Sequence, residues 1–350
     1  MYLASDNIGP VPDQVFDALK EANTGTCASY GADPLTEEVV EKIRDIFEAP
    51  EAAVYMVATG TAANALALAT LAKPWDTIFC TSVSHINEDE CNAPEFFTAG
   101  AKLTALSTGD KLAPEALQTA IDKISDCGVH GPQLGPVSLT QASEKGTLYT
   151  LEEIDAILAI VKTYGMPTHM DGARFANALI ALNCSPAEMT WKRGIDALSF
   201  GCSKNGLMSA EAVVFFDPSH AWEFELRRKR AGHLFSKHRF LSAQIKGYLD
   251  NDLWLSLAHQ ANENATYLAD QLRALPHVEF DYPQEANMMF VNFARKFHRR
   301  AIEAGATYNF YGTSLEDYGP DDEVLHARLV CDWSINKSDI DRFVRLISTN

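Results

Sequence analysis

Apolar and polar positions follow a regular order through the first part of the chain. Between about residues 53 and 200, short apolar runs are followed by longer segments in which apolar residues recur every three or four positions. The short runs predict strands and the longer segments predict amphipathic helices. This repeated order predicts an α/β fold, with a large domain whose mostly parallel sheet is covered by helices on both faces. Strands are predicted at 53–59, 77–82, 102–106, 137–141 and 167–170.

The pattern changes after Trp222. Long amphipathic segments between about 240 and 275 predict helices, and short apolar runs predict strands near 278–280, 288–293 and 327–331. This mixture predicts a smaller C-terminal α+β domain. We therefore expect an N-terminal arm at 1–12, a large domain at 13–240 and a small domain at 241–350.

Two predicted helix starts carry side chains that can cap a helix. Thr36 is expected to cap the helix that contains Val39 and Ile43. Thr150 and Glu153 have the spacing of a capping box. The segment 30–33, before the first of these helices, is expected to be an exposed loop.

The predicted strand at 53–59 turns directly into an alanine- and leucine-rich helix at Gly60 and Thr61. Backbone N–H groups point out of such a helix start, and the positive end of the helix dipole adds to their attraction for an anion. Thr61 adds a hydroxyl donor. Because glycine also occurs at strand-to-helix turns for purely structural reasons, the turn predicts either a phosphate site or a simple connection.

Lys204 lies among small and apolar residues in the stretch 197–210, with Ser203 before it and Asn205-Gly206 after it. Desolvation disfavours the charged form of such a lysine, so its pKa falls and its free amine becomes a nucleophile for a carbonyl. The alternative is a lysine in a hairpin turn between two strands, for which this composition is also typical.

Composition and charge narrow the class of ligand. The formal net charge of −18 leaves no basic surface for nucleic acid or an anionic membrane, which favours a small molecule. The seven cysteines include no Cys-x-x-Cys pair and no matching histidine cluster, so we expect reduced thiols, a cytoplasmic location and no metal site. The sequence predicts neither a secretion signal nor a membrane-spanning segment.

Four features fall at the ends of predicted strands, where ligands of an open α/β sheet bind. In chain order they are the Gly60-Thr61 turn, His85, Asp171 with Arg174, and Lys204. This set suits pyridoxal phosphate, since the helix start would hold the phosphate and His85 would stack on the ring. Asp171 would pair with the ring nitrogen, and Lys204 would bind the aldehyde carbon covalently.

Each of these residues also has an ordinary alternative. Asp171 and Arg174 could form a helix cap and a surface ion pair. His85 could be a buried histidine bonded to a carbonyl, and Arg328 could be a strand arginine that faces solvent. Their occurrence together in this chain order is what favours a shared site.

With these motifs the chain resembles the low-specificity threonine aldolases, which are pyridoxal phosphate enzymes with the aspartate aminotransferase type of fold. Asp171-Gly-Ala-Arg174 and Ser203-Lys204 are the most specific matches, whereas Gly60-Thr-Ala-Ala-Asn64 is widespread among related enzymes. The other matches, which extend the resemblance over nearly the entire chain, are Ser5-Asp6, Tyr30-Gly31-Ala-Asp33-Pro34, His85, His169-Met170 and Arg328-Leu-Val.

The resemblance implies retro-aldol cleavage of L-threonine, L-allo-threonine and related β-hydroxy-α-amino acids, such as phenylserine, to glycine and an aldehyde. It implies that Arg174 and Arg328 hold the substrate carboxylate by charge-assisted hydrogen bonds, with Ser5 nearby. Ser203 and Arg174 are also expected to contact the cofactor.

The resemblance further implies a homodimer or a homotetramer built as a dimer of dimers. In such an assembly the N-terminal arm and the 30–33 loop, with Tyr30 as a substrate-binding residue, are expected to contribute to a neighbour's active site.

The chain departs from the family pattern in two places. Many relatives carry a histidine, a candidate base for the hydroxyl proton, in the loop that corresponds to 141–146, and this chain has none there. His85 is then our candidate base, because an imidazole titrates near neutral pH, and Glu144 in that loop is its rival. An arginine that binds the cofactor phosphate in relatives falls on Ser236, so Lys237 is expected to replace it.

Two other classes of function remain open at this point. A β-eliminating lyase or an aminotransferase of the same fold would use Asp171 and Lys204 but break a different bond. A regulatory protein that only binds the cofactor would need a DNA-reading segment or a basic face, and the sequence shows neither.

Overall fold

The computed structural model describes residues 1–107, 109–316 and 318–348. Within these ranges the larger of two sheets has seven strands in the spatial order β1-β7-β6-β5-β4-β2-β3. Its strands are β1 Ala53–Val57, β2 Asp76–Thr81, β3 Lys102–Leu106, β4 Gln133–Thr140, β5 Thr168–Gly172, β6 Ala197–Phe200 and β7 Glu211–Phe215. The expected mostly parallel sheet is thereby confirmed.

Strand β7 is the exception, because it runs antiparallel to both of its neighbours, β1 and β6. Only residues 201–210 connect β6 to β7, and they contain no α-helix that could carry the chain back for a parallel pairing. The chain therefore reverses at the end of β6. This reversal contains Lys204.

The helices before β7 cover the large sheet. They are α1 Asp13–Ala22, α2 Pro34–Ile46, α3 Gly60–Leu71, α4 His85–Glu88, α5 Ala93–Phe97, α6 Pro114–Ser125, α7 Leu151–Thr163, α8 Phe175–Leu182 and α9 Pro186–Met189. Most strand residues are buried, as in β2, β6 and β7, because helices exclude water from both faces of the sheet. Helix α3 is almost entirely buried, which fits its alanine- and leucine-rich sequence.

The capping box on α7 is confirmed, since Thr150 accepts from the Glu153 N–H and Glu153 accepts from the Thr150 N–H. The expected cap on α2 is wrong. Asp33, rather than Thr36, is the N-cap, and its carboxylate accepts from the Thr36 N–H at 3.0 Å. Pro34 follows at the first helical position, where the missing N–H has no consequence.

The second sheet is antiparallel and has the order β10-β11-β9-β8. Its strands are β8 Glu279–Phe280, β9 Met288–Ala294, β10 Asn309–Phe310 and β11 Val324–Val330. The remaining helices are α10 Ala221–Arg230, α11 Arg239–Leu249, α12 Leu253–Arg273, α13 Arg295–Glu303 and α14 Lys337–Ser348. This is the α+β layer that the sequence predicts, with the short strand β10 added.

The boundary expected near residue 240 lies beside helix α11. Ile245 and Tyr248 of this helix share an apolar cluster with Leu198 and Phe200 of β6. Gly247 brings α11 close to α1, since a Cβ at this position would lie 2.9 Å from the Gln14 carbonyl oxygen. Helix α11 thus packs with the large sheet, and the domain boundary stays a prediction.

The N-terminal segment is joined to the second sheet of its own chain. The Leu3 N–H donates to the Thr307 carbonyl at 2.8 Å, and the Val330 N–H donates to the Leu3 carbonyl at 2.8 Å. Met1 and Leu3 are buried. The segment 1–12, which we expected to be an arm, is therefore anchored at its start. No helix in the described ranges combines the length and the apolar character needed to span a bilayer.

Candidate active site

A cavity of about 180 Å³ lies at the carboxyl end of β5 and beside the start of α3. It brings together six residues that the sequence singled out, namely Gly60, Thr61, His85, Asp171, Ser203 and Lys204. These residues come from four separate parts of the chain. Their meeting supports a shared site over the ordinary alternative for each one.

The start of α3 forms one wall of the cavity. Thr59 caps this helix by accepting from the Ala62 N–H at 3.2 Å. A Cβ added to Gly60 would meet no atom within 4 Å, so the space beside this turn is open. The first N–H groups of the helix therefore remain available to an anion in the cavity.

Asp171 is buried at the end of β5, with only 2% of its surface exposed. One carboxylate oxygen accepts from the Asn64 side-chain amide at 3.0 Å, and the other accepts from the Ala173 N–H at 2.9 Å. These two donors fix the orientation of the carboxylate. The carboxylate can hold a protonated nitrogen of a bound ligand in the cavity.

His85 begins α4, and among the described residues only one of its ring nitrogens has a hydrogen-bond partner. Its Nδ1 lies 2.8 Å from a carboxylate oxygen of Glu90, which also accepts from the Asn64 amide at 2.9 Å. The hydrogen bond to Glu90 raises the pKa of His85 above its ordinary value, despite the opposing effect of burial. Burial in turn raises the pKa of Glu90.

Lys204 lies on a 3-10 turn, Ser203–Asn205, that connects the antiparallel strands β6 and β7. The reversal between two strands is therefore confirmed, and it carries the lysine into the cavity. The role of Lys204 as a nucleophile stays a prediction. The Asn205 side chain donates to the Tyr248 hydroxyl at 2.7 Å and to the Trp254 carbonyl at 2.8 Å. These bonds hold the backbone that carries Lys204.

Glu211 supports the same turn from β7. Its carboxylate accepts from the Cys202 N–H at 2.6 Å and from the Ser203 N–H at 3.3 Å. Burial raises its pKa, whereas its bonds to Ser203 and Cys202 and the charge of Lys204 oppose this rise. A buried carboxyl thus stands beside Lys204 at the edge of the cavity.

Arg174 differs from our expectation, because its guanidinium is already paired. Its Nε and Nη2 donate to the two carboxylate oxygens of Asp6 at 2.7 and 3.0 Å. Both side chains are at least 94% buried. Burial tends to raise the pKa of Asp6, but Arg174 and Lys204 outweigh it and hold that pKa below its usual value. The edge of Arg174 best suited to a substrate carboxylate is therefore occupied by Asp6.

Arg328 has more free donors than Arg174. Its Nη2 donates to the Ala4 carbonyl at 3.3 Å, while its Nε is buried without a hydrogen-bond partner among the described residues. It lines a second cavity, of about 510 Å³, together with Glu144 and Lys145. The charge of Glu144 acts on both Arg328 and His85, so this cavity is next to the first.

Four expected site residues lie outside the lining of both cavities, namely the paired Arg174 and Ser5, Tyr30 and Lys237. The Ser5 hydroxyl accepts from the Asn7 N–H at 3.1 Å. Tyr30 is 48% exposed, and its N–H donates to the Ser236 carbonyl at 3.1 Å. Lys237 is exposed beside Ser236. Tyr30 and Lys237 therefore share one surface region of the chain, away from its own cavities.

Sequence reasoning assigned no role to four polar residues at this site. Asn64 and Glu211 each interrupt an otherwise apolar run, in α3 and β7. Such an interruption is a usable signal, because buried polar groups need partners. Asn7 and Glu90 lie outside helices and strands and gave no local signal. Asn7 also lines the cavity of its own chain, whereas we expected the arm to serve a neighbour.

Known proteins give an independent comparison. The family model described as "Beta-eliminating lyase" matches residues 2–296. The low specificity L-threonine aldolase of Pseudomonas aeruginosa is 40% identical over 342 residues, which cover 97% of this chain and 94% of that protein. The protein of the same name from a Pseudomonas species is 39% identical over 340 residues, which cover 96% of this chain and 94% of that protein.

Solved structures show the same fold. The threonine aldolase of Leishmania major superposes with a TM-score of 0.90 at 23% identity, covering 99% of this chain and 98% of that one. A serine palmitoyltransferase from S. paucimobilis with bound PLP superposes with a TM-score of 0.69 at 18% identity. The superposition covers 99% of this chain and 86% of that one. Because the family model and the Pseudomonas relatives match over most of its length, the chain belongs to the beta-eliminating lyase family and to the low-specificity L-threonine aldolases.

Proposed function

We propose that this chain is a pyridoxal phosphate-dependent aldolase that cleaves L-threonine, L-allo-threonine and related β-hydroxy-α-amino acids, such as phenylserine, to glycine and an aldehyde. The observation that carries the proposal is the meeting of Lys204, Asp171 and His85 in one cavity at the start of α3. The name of the Pseudomonas relatives supports the same reaction.

The residues of the cavity fit pyridoxal phosphate. The open N–H groups at Gly60 and Thr61 would hold the phosphate, with the Ser203 hydroxyl beside them. Asp171 would hold the ring nitrogen in its protonated form, and Lys204 would bind the aldehyde carbon covalently. When bound, the cofactor supplies an electron sink that stabilises negative charge on the substrate's α-carbon.

Arg328 is our first choice for the substrate carboxylate. Its partly unpaired guanidinium faces the second cavity, whereas Arg174 has its Nε and Nη2 on Asp6. Arg174 then holds the N-terminal segment in place and contributes positive charge at the edge of the site. This assignment replaces the symmetrical pair of arginines that the sequence suggested.

His85 is our candidate for removing the β-hydroxyl proton. His169, the histidine closest in sequence to Asp171, is fully buried between Ser138 and Ser199, and burial lowers its pKa to about 4. Glu144 remains the rival base, because it lines the neighbouring cavity. His85→Asn should lower the cleavage rate by roughly two to four powers of ten, the range for loss of a general base. Near-normal cleavage by His85→Asn, with a large loss in Glu144→Gln, would assign the base to Glu144.

The experiment that tests the proposal is an assay of glycine and aldehyde formation from L-threonine. Wild-type protein should form both in equal amounts, and Lys204→Ala should form neither. Lys162→Ala, which changes an exposed lysine on α7, is the matched control and should retain activity. Ammonia and a keto acid as products would instead indicate a β-eliminating lyase, and an amino-group transfer would indicate an aminotransferase.

A second test locates the cofactor directly. Borohydride reduction of the purified protein, followed by peptide mapping, should place the pyridoxyl group on Lys204. A pyridoxyl group found on any other lysine would remove Lys204 from the centre of the mechanism.

The assembly that we propose is a homodimer or a dimer of dimers in the cytoplasm. Tyr30 and Lys237 lie together on an exposed surface outside their own cavity, where they are free to complete the cavity of a neighbour. The same side of the chain exposes Phe235, and helix α10 exposes Trp222 and Leu226. Exposed apolar side chains of this size support an interface. The seven free cysteines support a reducing compartment.

A further inference from the structure

Four buried or half-buried side chains form a connected network beside Lys204. His85 Nδ1 lies 2.8 Å from Glu90 Oε1, and the same oxygen accepts from Asn64 Nδ2 at 2.9 Å. Asn64 Nδ2 also donates to Asp171 Oδ2 at 3.0 Å. The network therefore runs from the candidate base, through Glu90 and Asn64, to the carboxylate expected at the ring nitrogen.

With Glu90 and Asp171 ionised, the chemistry of these groups fixes the hydrogen positions in this network. An ionised carboxylate only accepts hydrogen bonds, so both hydrogens of the Asn64 amide are used, one for Glu90 and one for Asp171. For the same reason the nitrogen of His85 that faces Glu90 carries the hydrogen. Nε2 is then the nitrogen of His85 with a free electron pair, and it bonds to none of the described residues.

Burial of the Glu90 carboxylate destabilises the fold, and packing alone does not require a carboxylate at this position. Its side chain is fully buried, and its Oε2 has no hydrogen-bond partner among the described residues. An unpartnered buried carboxylate oxygen destabilises a fold. Of the two described hydrogen-bond partners of this carboxylate, Asn64 and His85, only His85 can exchange a proton in the cavity.

From this geometry we infer that Glu90 is a positioning residue, which holds His85 with Nδ1 protonated and Nε2 available to accept the substrate's hydroxyl proton. Asn64 ties this pair to Asp171. The inference rests on the proposed function only for the role of His85 in cleavage. The orientation and tautomer of His85 are properties of the chain itself.

Other charges also face His85. Asp171 from β5 and Glu144 from the loop after β4 favour its protonated form, whereas Lys204 opposes it. The bond to Glu90 has the largest effect of these contacts. Removing the Glu90 charge while the other groups remain should therefore lower the pKa of His85.

The test is nitrogen NMR of the histidine rings in the full-length protein loaded with pyridoxal phosphate, with His85 identified by its loss in His85→Asn. In wild type, the neutral His85 ring should carry its hydrogen on Nδ1. In Glu90→Gln the pKa of His85 should fall by about one unit or more, the usual effect of losing a nearby opposite charge. The acidic limb of the kcat/KM profile for cleavage should move to lower pH by the same amount, and Glu90→Asp should restore part of the shift.

Glu95→Gln is the matched control, because Glu95 also has a buried oxygen without a described partner but does not contact His85. It should leave both the NMR titration and the pH profile unchanged. A wild-type ring with its hydrogen on Nε2 would overturn the inference without any variant. So would a Glu90→Gln protein whose His85 titrates as in wild type, even if its activity fell. Normal cleavage by His85→Asn would instead refute the proposed role of His85 and leave the NMR result about Glu90 standing.

Discussion

Two arginines with similar sequence signals have different surroundings in the structure. Arg174 and Arg328 both matched a family motif, yet Asp6 accepts from Nε and Nη2 of Arg174, while the Arg328 Nε has no hydrogen-bond partner in the part of the chain that the structure describes. The sequence could place both near the site because each follows or lies in a strand. It could not show the ion pair, because Asp6 is 168 residues away from Arg174.

Replacing Arg328 tests this difference. Arg328→Ala should lower kcat/KM for L-threonine by about 10- to 150-fold, which corresponds to the roughly 1.5–3 kcal/mol of a hydrogen bond to a charged group. The effect should appear chiefly in KM, because the carboxylate is bound before and during cleavage. Steady-state kinetics of glycine formation measures it. Arg299→Ala, at an exposed ion pair with Asp321, is the control, and an unchanged KM in Arg328→Ala would move the carboxylate site elsewhere.

The pKa of His85 sets the expected pH dependence of cleavage. The bond to Glu90 raises this pKa above the usual value of about 6.5. A base must be neutral to accept a proton, so activity should be present above the raised pKa and should fall as the pH drops through it. The acidic limb of kcat/KM should therefore lie above about pH 6.5. A profile that stays flat down to pH 5.5 would contradict His85 as the base.

At the scale of elements, the reversal between β6 and β7 positions the nucleophile. Gly201 lies directly after β6, and a Cβ there would approach Ala173 Cα and the Gly172 carbonyl oxygen to 2.6 Å. These are backbone atoms, which cannot rotate away. The close contact holds the chain segment of Lys204 against the segment that follows Asp171.

Gly201→Ala should therefore separate these two segments. We expect a loss of about 1–3 kcal/mol in the free energy of unfolding, the usual range for overpacking a core, together with reduced activity. Urea unfolding measures the first and the glycine assay the second. Gly60→Ala has open space around its new methyl group and should leave the unfolding free energy unchanged. Wild-type stability in Gly201→Ala would show that the backbone at Gly172 and Ala173 can move to accommodate the added methyl group.

The elements themselves were largely predictable from the sequence. Strand β3 was predicted with the residues that the structure gives it, because its apolar spacing and flanking turns are local signals. The direction of β7 followed only from the hairpin alternative at Lys204, since alternation within a strand does not encode which neighbour it pairs with. The cap of α2 was assigned wrongly because Thr36 and Asp33 are both good capping residues, and the choice depends on backbone geometry.

At the scale of the whole molecule, the family and the cofactor class followed from the sequence, because the motifs lie in one chain order. The predicted resemblance to threonine aldolases is confirmed by the family model and the Pseudomonas relatives. The roles of individual residues and the assembly stay predictions. Contacts such as those of Glu90 and Asp6 depend on how loops meet in space, which local patterns do not specify.

The proposed assembly has a test in subunit complementation. If Lys237 of one subunit completes the cavity that holds the Lys204 of another, Lys204→Ala and Lys237→Ala should each lose activity as separate oligomers. When the two variants are unfolded together and refolded, mixed dimers should regain one intact cavity, and activity should return. Refolding each variant alone is the control. Absence of any recovery in mixed oligomers of confirmed composition would place Lys237 at its own chain's site or outside the mechanism.

The first seven residues connect both halves of the molecule within a short span. Leu3 is hydrogen bonded to the second sheet, and Asp6 is bonded to Arg174 after β5 and to Asn287 before β9. Because this segment is bonded near both sheets, local unfolding of one sheet should be coupled to local unfolding of the other. Amide hydrogens in β5 and β11 should then exchange with deuterated solvent through one shared opening event. In a chain that lacks residues 1–7, the two sheets should exchange at separate rates, and the slower-exchanging sheet should identify which half is intrinsically more stable.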